Sequence, residues 1–388
     1  MDLSQQLQQL ESTRDWQGLA EALEQAIEQS SDDVEKSRLF LKLGKVMTEK
    51  LLQGPRALRH FQTAWKLQPE VVEPLIWAQN IYWELGKFKM VATVLQRSLE
   101  SATEEQKGIL LCELVDVLST MGNYDVALES YAQALRLGGA IAERARPCLE
   151  DMSIDEASHQ DRIDEILALA AEASTGSERA EHLLRAARIA KRYTNLQYEQ
   201  LLLQAYQADC DNKQASSLYE ELMVAEGRLA QVLETQREML ENATPTEGPR
   251  LAFRYGVRWA TRHQNVELGA RLLEQAVLGD PTNDAAFTFL RELWGSHEGD
   301  WAKVVGLADQ ISELHQPPPF VMAEAGRLCW LQLGDLMRAR RWFERLSEVD
   351  ADHPTLAAFE AQIGERLSEA APEPTKEPAP EPEPEPEP

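Results

Sequence analysis

Residues 38–69 read RLFLKLGKVMTEKLLQGPRALRHFQTAWKLQP, and residues 250–281 read RLAFRYGVRWATRHQNVELGARLLEQAVLGDP. Arg38, Leu39, Gly44 and Pro69 of the first stretch return as Arg250, Leu251, Gly256 and Pro281 of the second, 212 residues later. In the same frame Ala57, Phe61 and Ala64 become Gly269, Leu273 and Ala276. Intermediate copies fall on Gly44, Val115, Ala187, Gly256 and Arg327, separated by 71, 72, 69 and 71 residues, or two units of about 35 each. A repeat of that period, without alternating β-branched runs, predicts an all-α solenoid in which each helix pair buries its apolar face against its neighbours.

Working outward, nearly every segment carries apolar residues three and four apart, as in Leu19-Leu23-Ala26 and Leu110-Leu114-Val117, the spacing of amphipathic helices. Gly86, Gly122, Gly227, Gly299 and Gly334 each stand two residues before an apolar residue. That pattern predicts a left-handed helix end followed by an anchor for the next helix. Gly86 to Gly122 is 36 residues and Gly299 to Gly334 is 35, again one unit. Asp15-Trp16 and Asp300-Trp301 open similar helices.

The second helix of each unit repeats a small residue, a large apolar one four later, and a small one three beyond. Examples are Ala57-Phe61-Ala64, followed by Pro69, Ala127-Tyr131-Ala134, and the looser Ala339-Phe343-Leu346. With Leu43-Gly44 and Tyr255-Gly256 on first helices, this resembles the tetratricopeptide repeat (TPR) family. The leading Trp of the family pattern is mostly replaced, as by Leu75 and Leu111. The resemblance implies a right-handed superhelix whose first helices line a concave groove for peptide or helical segments of partner proteins. It also implies a non-catalytic scaffold or adaptor. The expected organisation is an N-terminal helical half-repeat over 1–31, the repeat array over 32–352, a capping helix over 353–370 and an acidic Pro-Glu tail over 371–388. Gly138-Gly139 to Pro147, Asn242 to Pro249 and Gln316 to Pro319 read as long inter-repeat turns, with joints in the array as the alternative.

Two first-helix features suggest binding surfaces. Arg250, Arg254, Arg258 and Arg262 recur every four residues, and Arg185, Arg188 and Arg192 lie on the helix two units earlier. Guanidinium groups so placed would form a basic groove for an acidic segment, or pair with carboxylates of adjacent helices. Glu113 and Asp116 face the same way. Trp77, Tyr82 and Trp83 cluster on another first helix, as an apolar anchor or as core. The tail carries six Glu and one Lys among alternating Pro, so it is expected to be extended. It reads as a solubilising end, as a ligand for another domain, or as an autoinhibitory occupant of the basic groove.

Composition narrows the function. A net charge of −26 argues against non-specific nucleic-acid or anionic-membrane binding. No apolar stretch approaches a membrane span, and the first residues lack a basic and apolar leader pattern, so a cytoplasmic protein is expected. Cys112, Cys148, Cys210 and Cys329 are dispersed and imply no disulfide framework. No phosphate loop, zincin motif or nucleophile elbow occurs, so no enzyme and no cofactor is expected, a module hidden in the degenerate units being the alternative. Asp209 to Glu220 faintly resembles a calcium loop but has Gln214 where the turn needs Gly. Sequence leaves the oligomeric state open.

Overall fold

The structure is a computed structural model that describes residues 3–194, 196–297 and 299–367. Among these residues there are 21 α-helices, one π-helical segment and no strand. The tail over 371–388 and the end of the expected cap lie outside the described residues.

The chain divides into two compact units, one ending at Glu292 and the other beginning at Leu293. The first opens with α1 (Leu3–Ser12) and α2 (Trp16–Gln29), a full helix pair. Then follow α3 (Asp33–Glu49) and α4 (Gly54–Leu67), α5 (Glu73–Glu84) and α6 (Phe88–Ser101), and α7 (Glu104–Thr120) and α8 (Tyr124–Leu137). The middle holds α9 (Gly139–Met152), α10 (His159–Glu172), α11 (Gly176–Tyr193) and α12 (Tyr198–Ala208). The unit continues through α13 (Lys213–Ala225), α14 (Leu229–Glu241), α15 (Glu247–Thr261), α16 (Val266–Gly279) and α17 (Asp284–Leu290). A π-helical segment, Arg291–His297, crosses the division. The second unit holds α18 (Trp301–Leu314), α19 (Pro319–Leu331), α20 (Leu336–Val349) and α21 (Pro354–Ile363). Helices neighbouring in sequence pack on each other, which makes the chain an all-α, TPR-like helical repeat.

The turn between paired helices has one recurrent backbone device. The residue two positions before the second helix is left-handed at Gly86, Gly122, Gly227, Gly299 and Gly334, with φ between 66° and 78°. Arg14, Leu52 and Gln264 occupy the equivalent place with φ of 54°, 54° and 52°. Side chains there cost roughly 1–2 kcal/mol relative to Gly, so the glycine pattern marks only the turns that relaxed the strain. Capping completes the motif: Asp15 and Asp300 accept hydrogen bonds from Gly18 N and Lys303 N at 3.0 and 3.1 Å, which explains the shared Asp-Trp openings.

Small residues set the helix separation. A Cβ built on Gly44 would lie 2.6 Å from the Phe61 ring, and one on Gly256 would lie 2.8 Å from Leu273 Cγ. In the second unit Gly326, not Arg327, takes this role, with Phe343 2.8 Å from such a Cβ. The repeat arithmetic misplaced it by one because this turn has four residues, as in α3–α4 and α15–α16, rather than three. Arg327 instead donates to Glu324.

Gly139 to Pro147 is helical, whereas residues 242–246 form the turn between α14 and α15. Pro147 lies inside α9, whose Ala142, Ala145 and Met152 are buried, so packing outweighs the missing Pro hydrogen bond. Pro249 lies in the first turn of α15, where it removes no intrahelical bond. The irregular place is different: α9 packs on α8 and α11, and α10 packs on α11. In the second unit, Leu356 and Phe359 of α21 are buried, Phe359 stacking on Phe343 with 4.5 Å between centroids.

Gln264 is exposed, so Gln264→Gly loses no packing and should raise stability by about 0.5–1 kcal/mol. Gly44→Ala should lower it by about 1–3 kcal/mol by overpacking. Urea-unfolding midpoints of the two variants check both signs.

Candidate functional site

The first helices of the first unit meet across a seam of buried charge. Glu220 of α13 is fully buried and accepts two bonds from one guanidinium, Arg258 Nε at 2.7 Å and Arg258 Nη2 at 2.8 Å. Arg262 Nε stands 3.4 Å and His263 Nε2 3.0 Å from the same carboxylate. Arg258 also reaches Glu84 of α5. Burial alone would raise the Glu220 pKa; the Arg258 charge, hydrogen bonds from His263 and Arg258, and the Arg262 charge outweigh it and hold the pKa down at about 2.

Arg262 and other polar side chains finish helices they do not belong to. The last carbonyls of an α-helix lack intrahelical donors, and they favour positive charge nearby. Arg262 Nη1 donates to Glu84 O at 3.2 Å and Ser217 Oγ to Trp83 O at 3.0 Å, both at the end of α5. Lys191 Nζ donates to Thr120 O at the end of α7 at 2.8 Å, and Arg192 donates to Met152 O at the end of α9. Gly86 lies beside this seam; a Cβ there would stand 2.7 Å from Glu221 and 2.9 Å from Arg262.

All seven arginines of the expected basic groove therefore have intramolecular partners. Arg185 holds buried Asp151 through Nε at 2.7 Å and Nη2 at 3.1 Å, and Arg188 meets Asp116 at 2.8 Å. Arg192 also lies over the Tyr124 and Tyr193 rings. Arg250 pairs with Asp211, and Arg254 Nε donates to Cys210 O at 2.8 Å. Arg258 and Arg262 have side chains 3% and 6% exposed, so they present no open stripe to a ligand. The physical reason is curvature: α5, α13 and α15 meet, and the guanidiniums point into that contact.

The aromatic trio is divided. Trp83 is buried and meets Phe88 edge-on at 5.4 Å, while Trp77 stacks on Phe61 at 5.9 Å. Tyr82 packs between two core clusters.

Beside the seam lies a polar chamber of about 590 Å³. Its walls include Asn80 and Trp83 of α5, Glu113 and Asp116 of α7, and Arg185 and Arg188 of α11. The start of α13 closes one side, Lys213 Nζ donating to Asn80 Oδ1 at 2.6 Å and Gln214 Nε2 to Asp116 Oδ2 at 2.9 Å. Gln79 Nε2 donates to Glu113 Oε2 at 2.5 Å. The buried Arg188 Nε has no hydrogen-bond partner among the described residues. Glu143 and Glu181 are exposed at the rim.

Sequence reasoning missed Glu220, Asp151 and Glu84. Glu220 was visible only as the last place of the calcium-like run. In the structure Asp209 instead accepts from Asp211 N, and Asn212 caps α13. Among the described residues no group of three or more His, Cys, Asp or Glu is arranged to hold a metal, and no helix is long and apolar enough to cross a membrane.

No protein-family model and no curated protein matches this chain. Among solved structures it is similar to the TPR domain of P58(IPK), at 13% identity and TM-score 0.25, over 85% of this chain and 98% of that one. It is also similar to the human IFIT1 dimer solved with m7Gppp-AAAA, at 14% identity and TM-score 0.25, over 87% and 68% of the two chains. At such scores these likenesses carry no argument about the site.

Glu220 is ionised in the fold below the pH at which it protonates in the unfolded chain. Its stabilisation is therefore complete above about pH 4.5 and lost as pH falls toward about 2, with Arg258, Arg262, His263, Glu84 and Glu221 facing it. Glu220→Gln should cost about 3–5 kcal/mol at neutral pH, by leaving buried guanidiniums unpaired. It should also flatten the acid limb of stability against pH, measured by denaturant unfolding.

Proposed function

We propose that this chain is a non-catalytic interaction scaffold that holds an extended polar segment of a partner protein in the chamber beside α5, α7 and α11. The observation that carries this reading is the chamber itself. At about 590 Å³ it falls within the roughly 300–1,000 Å³ of ligand sites, yet hydrogen-bonding and charged groups line it. Such walls suit a peptide backbone and polar side chains better than an apolar small molecule. Asn80 and Lys213 offer polar groups at its wall, and Trp83 an apolar edge. The rim carboxylates Glu143 and Glu181 favour a segment bearing Lys or Arg.

An acidic ligand on the arginine stripe, including the autoinhibited form of that idea, would first have to break ion pairs that the chain makes with itself. Displacing Glu220 from Arg258 leaves buried charge without a partner, so the chamber is the better-supported site.

The test is affinity capture with the intact chain and with Glu143→Lys/Glu181→Lys, both substitutions being at exposed positions. A specific protein partner should bind at least tenfold more weakly to the variant, and its bound segment should map to a basic stretch. Equal capture by both chains would remove the chamber from the reading. Nuclease-sensitive capture would replace a protein partner with nucleic acid.

A further inference from the structure

A second basic surface lies in the second unit, independent of the chamber, and its arginines are arranged differently. Arg338, Arg341, Trp342 and Arg345 of α20 are spaced i, i+3, i+4 and i+7, one stripe of the helix. The stripe faces α18, and the two helices enclose a groove of about 460 Å³ lined by Asp309, Met337 and the four residues of the stripe, with Asp335 at one end.

Both carboxylates of this groove are already engaged. Asp309 pairs with Arg338, and Asp335 accepts from Arg338 N at 2.9 Å as the cap of α20. Arg345 is held in place by Ser312 Oγ at 2.7 Å and lies over the Trp342 ring at 5.1 Å. Arg341 is exposed and has no ionic or hydrogen-bonding partner among the described residues. Met337, beside it, leaves 68% of its surface to solvent. The groove thus offers one uncommitted guanidinium, a second guanidinium held only by a neutral hydroxyl, and adjacent apolar surface.

We propose that this groove is the docking site of the chain's own acidic Pro-Glu segment, residues 371–388. Two observations choose that occupant. The charge is complementary: six Glu and a single Lys occupy the segment. The chain also leaves the described structure against the right helix. Glu365 makes a double ion pair with Arg340 of α20 at 2.9 and 3.0 Å, and Leu367 N donates to Glu360 at 2.7 Å. From Leu367 the remaining 21 residues span roughly 65 Å at ~3.1 Å per residue, ample to cross a helix ~10–12 Å wide.

Arg341 and Arg345 lie one turn apart on α20, so carboxylates of an extended segment crossing the helix meet both guanidiniums. Pro residues of the segment lack N–H groups, so their rings lie against the exposed Met337 without burying a donor.

The experiment uses the full chain with Thr375→Cys carrying a nitroxide, the four native cysteines being buried or half-buried. The nine Trp indole N–H signals are the readout, eight of them internal controls. At low salt the Trp342 signal should lose more than half its intensity, selectively. It should recover in 0.5 M salt and in Arg341→Glu, whose exposed position keeps the fold. An undisturbed Trp342, or broadening that survives Arg341→Glu, overturns the proposal. So does a Trp342 signal insensitive to the nitroxide but shifted by added free peptide of residues 371–388, which would assign the groove to an acidic segment of another chain. None of these outcomes bears on the chamber, whose test uses other residues.

Discussion

A carboxylate with no exposure to water has to be met by positive charge, and Glu220 imposes that condition on the first unit. Its partners come from α15, and the same Arg258 guanidinium extends to Glu84 of α5. The first helices of two neighbouring repeats thus meet at Glu220, and Arg258 ties α5 of a distant repeat to them through Glu84. Their meeting places Trp83 and Glu84 where Ser217 and Arg262 complete the last turn of α5. It also brings Lys213 to Asn80, which walls the chamber on one side. The cavity and the ion seam share the contact of α5 with α13.

The helix pairs were legible because their determinants are local. A glycine two residues before a helix, an Asp-Trp opening, and a small residue facing Phe61 each report on contacts within one pair. The places where that reading slipped are also local. Gly326 hid behind Arg327 because the length of the turn, and not the period, fixes which residue meets Phe343. Leu52 and Gln264 hid because a left-handed residue need not be glycine. The arginine stripe was legible as a stripe. What it faces was not, since the partner of Arg258 depends on how much each successive pair turns, a quantity summed over several repeats that no single motif encodes.

Arginine does two kinds of work in this molecule. On α11 and α15 it is an internal group, fixed by Asp151, Asp116 and Glu220 and by carbonyls at helix ends. On α20 part of the stripe is left toward solvent, with Arg341 uncommitted. The spacings alone do not separate the cases, because both place guanidiniums on one helix face. The distinction lies in what packs opposite: acidic first helices in one, and the single Asp309 with a serine in the other.

The contact of α5 with α13 and α15 also changes how the chain can fold. In a repeat protein each unit ordinarily touches only its neighbours, so structure can spread from any point along the chain. Here Glu84 and Arg258 are 174 residues apart, and Arg14 finds Asp284 across 270. Closing such loops costs entropy before any bond forms, though the cost grows only logarithmically with length. During synthesis the end of α5 must wait for residues made much later, and the helices emerging first stand with unfinished carbonyls until the seam arrives. The first unit is thereby converted from a row of nearly independent pairs into one cooperative body that is complete only when its last helices are in place.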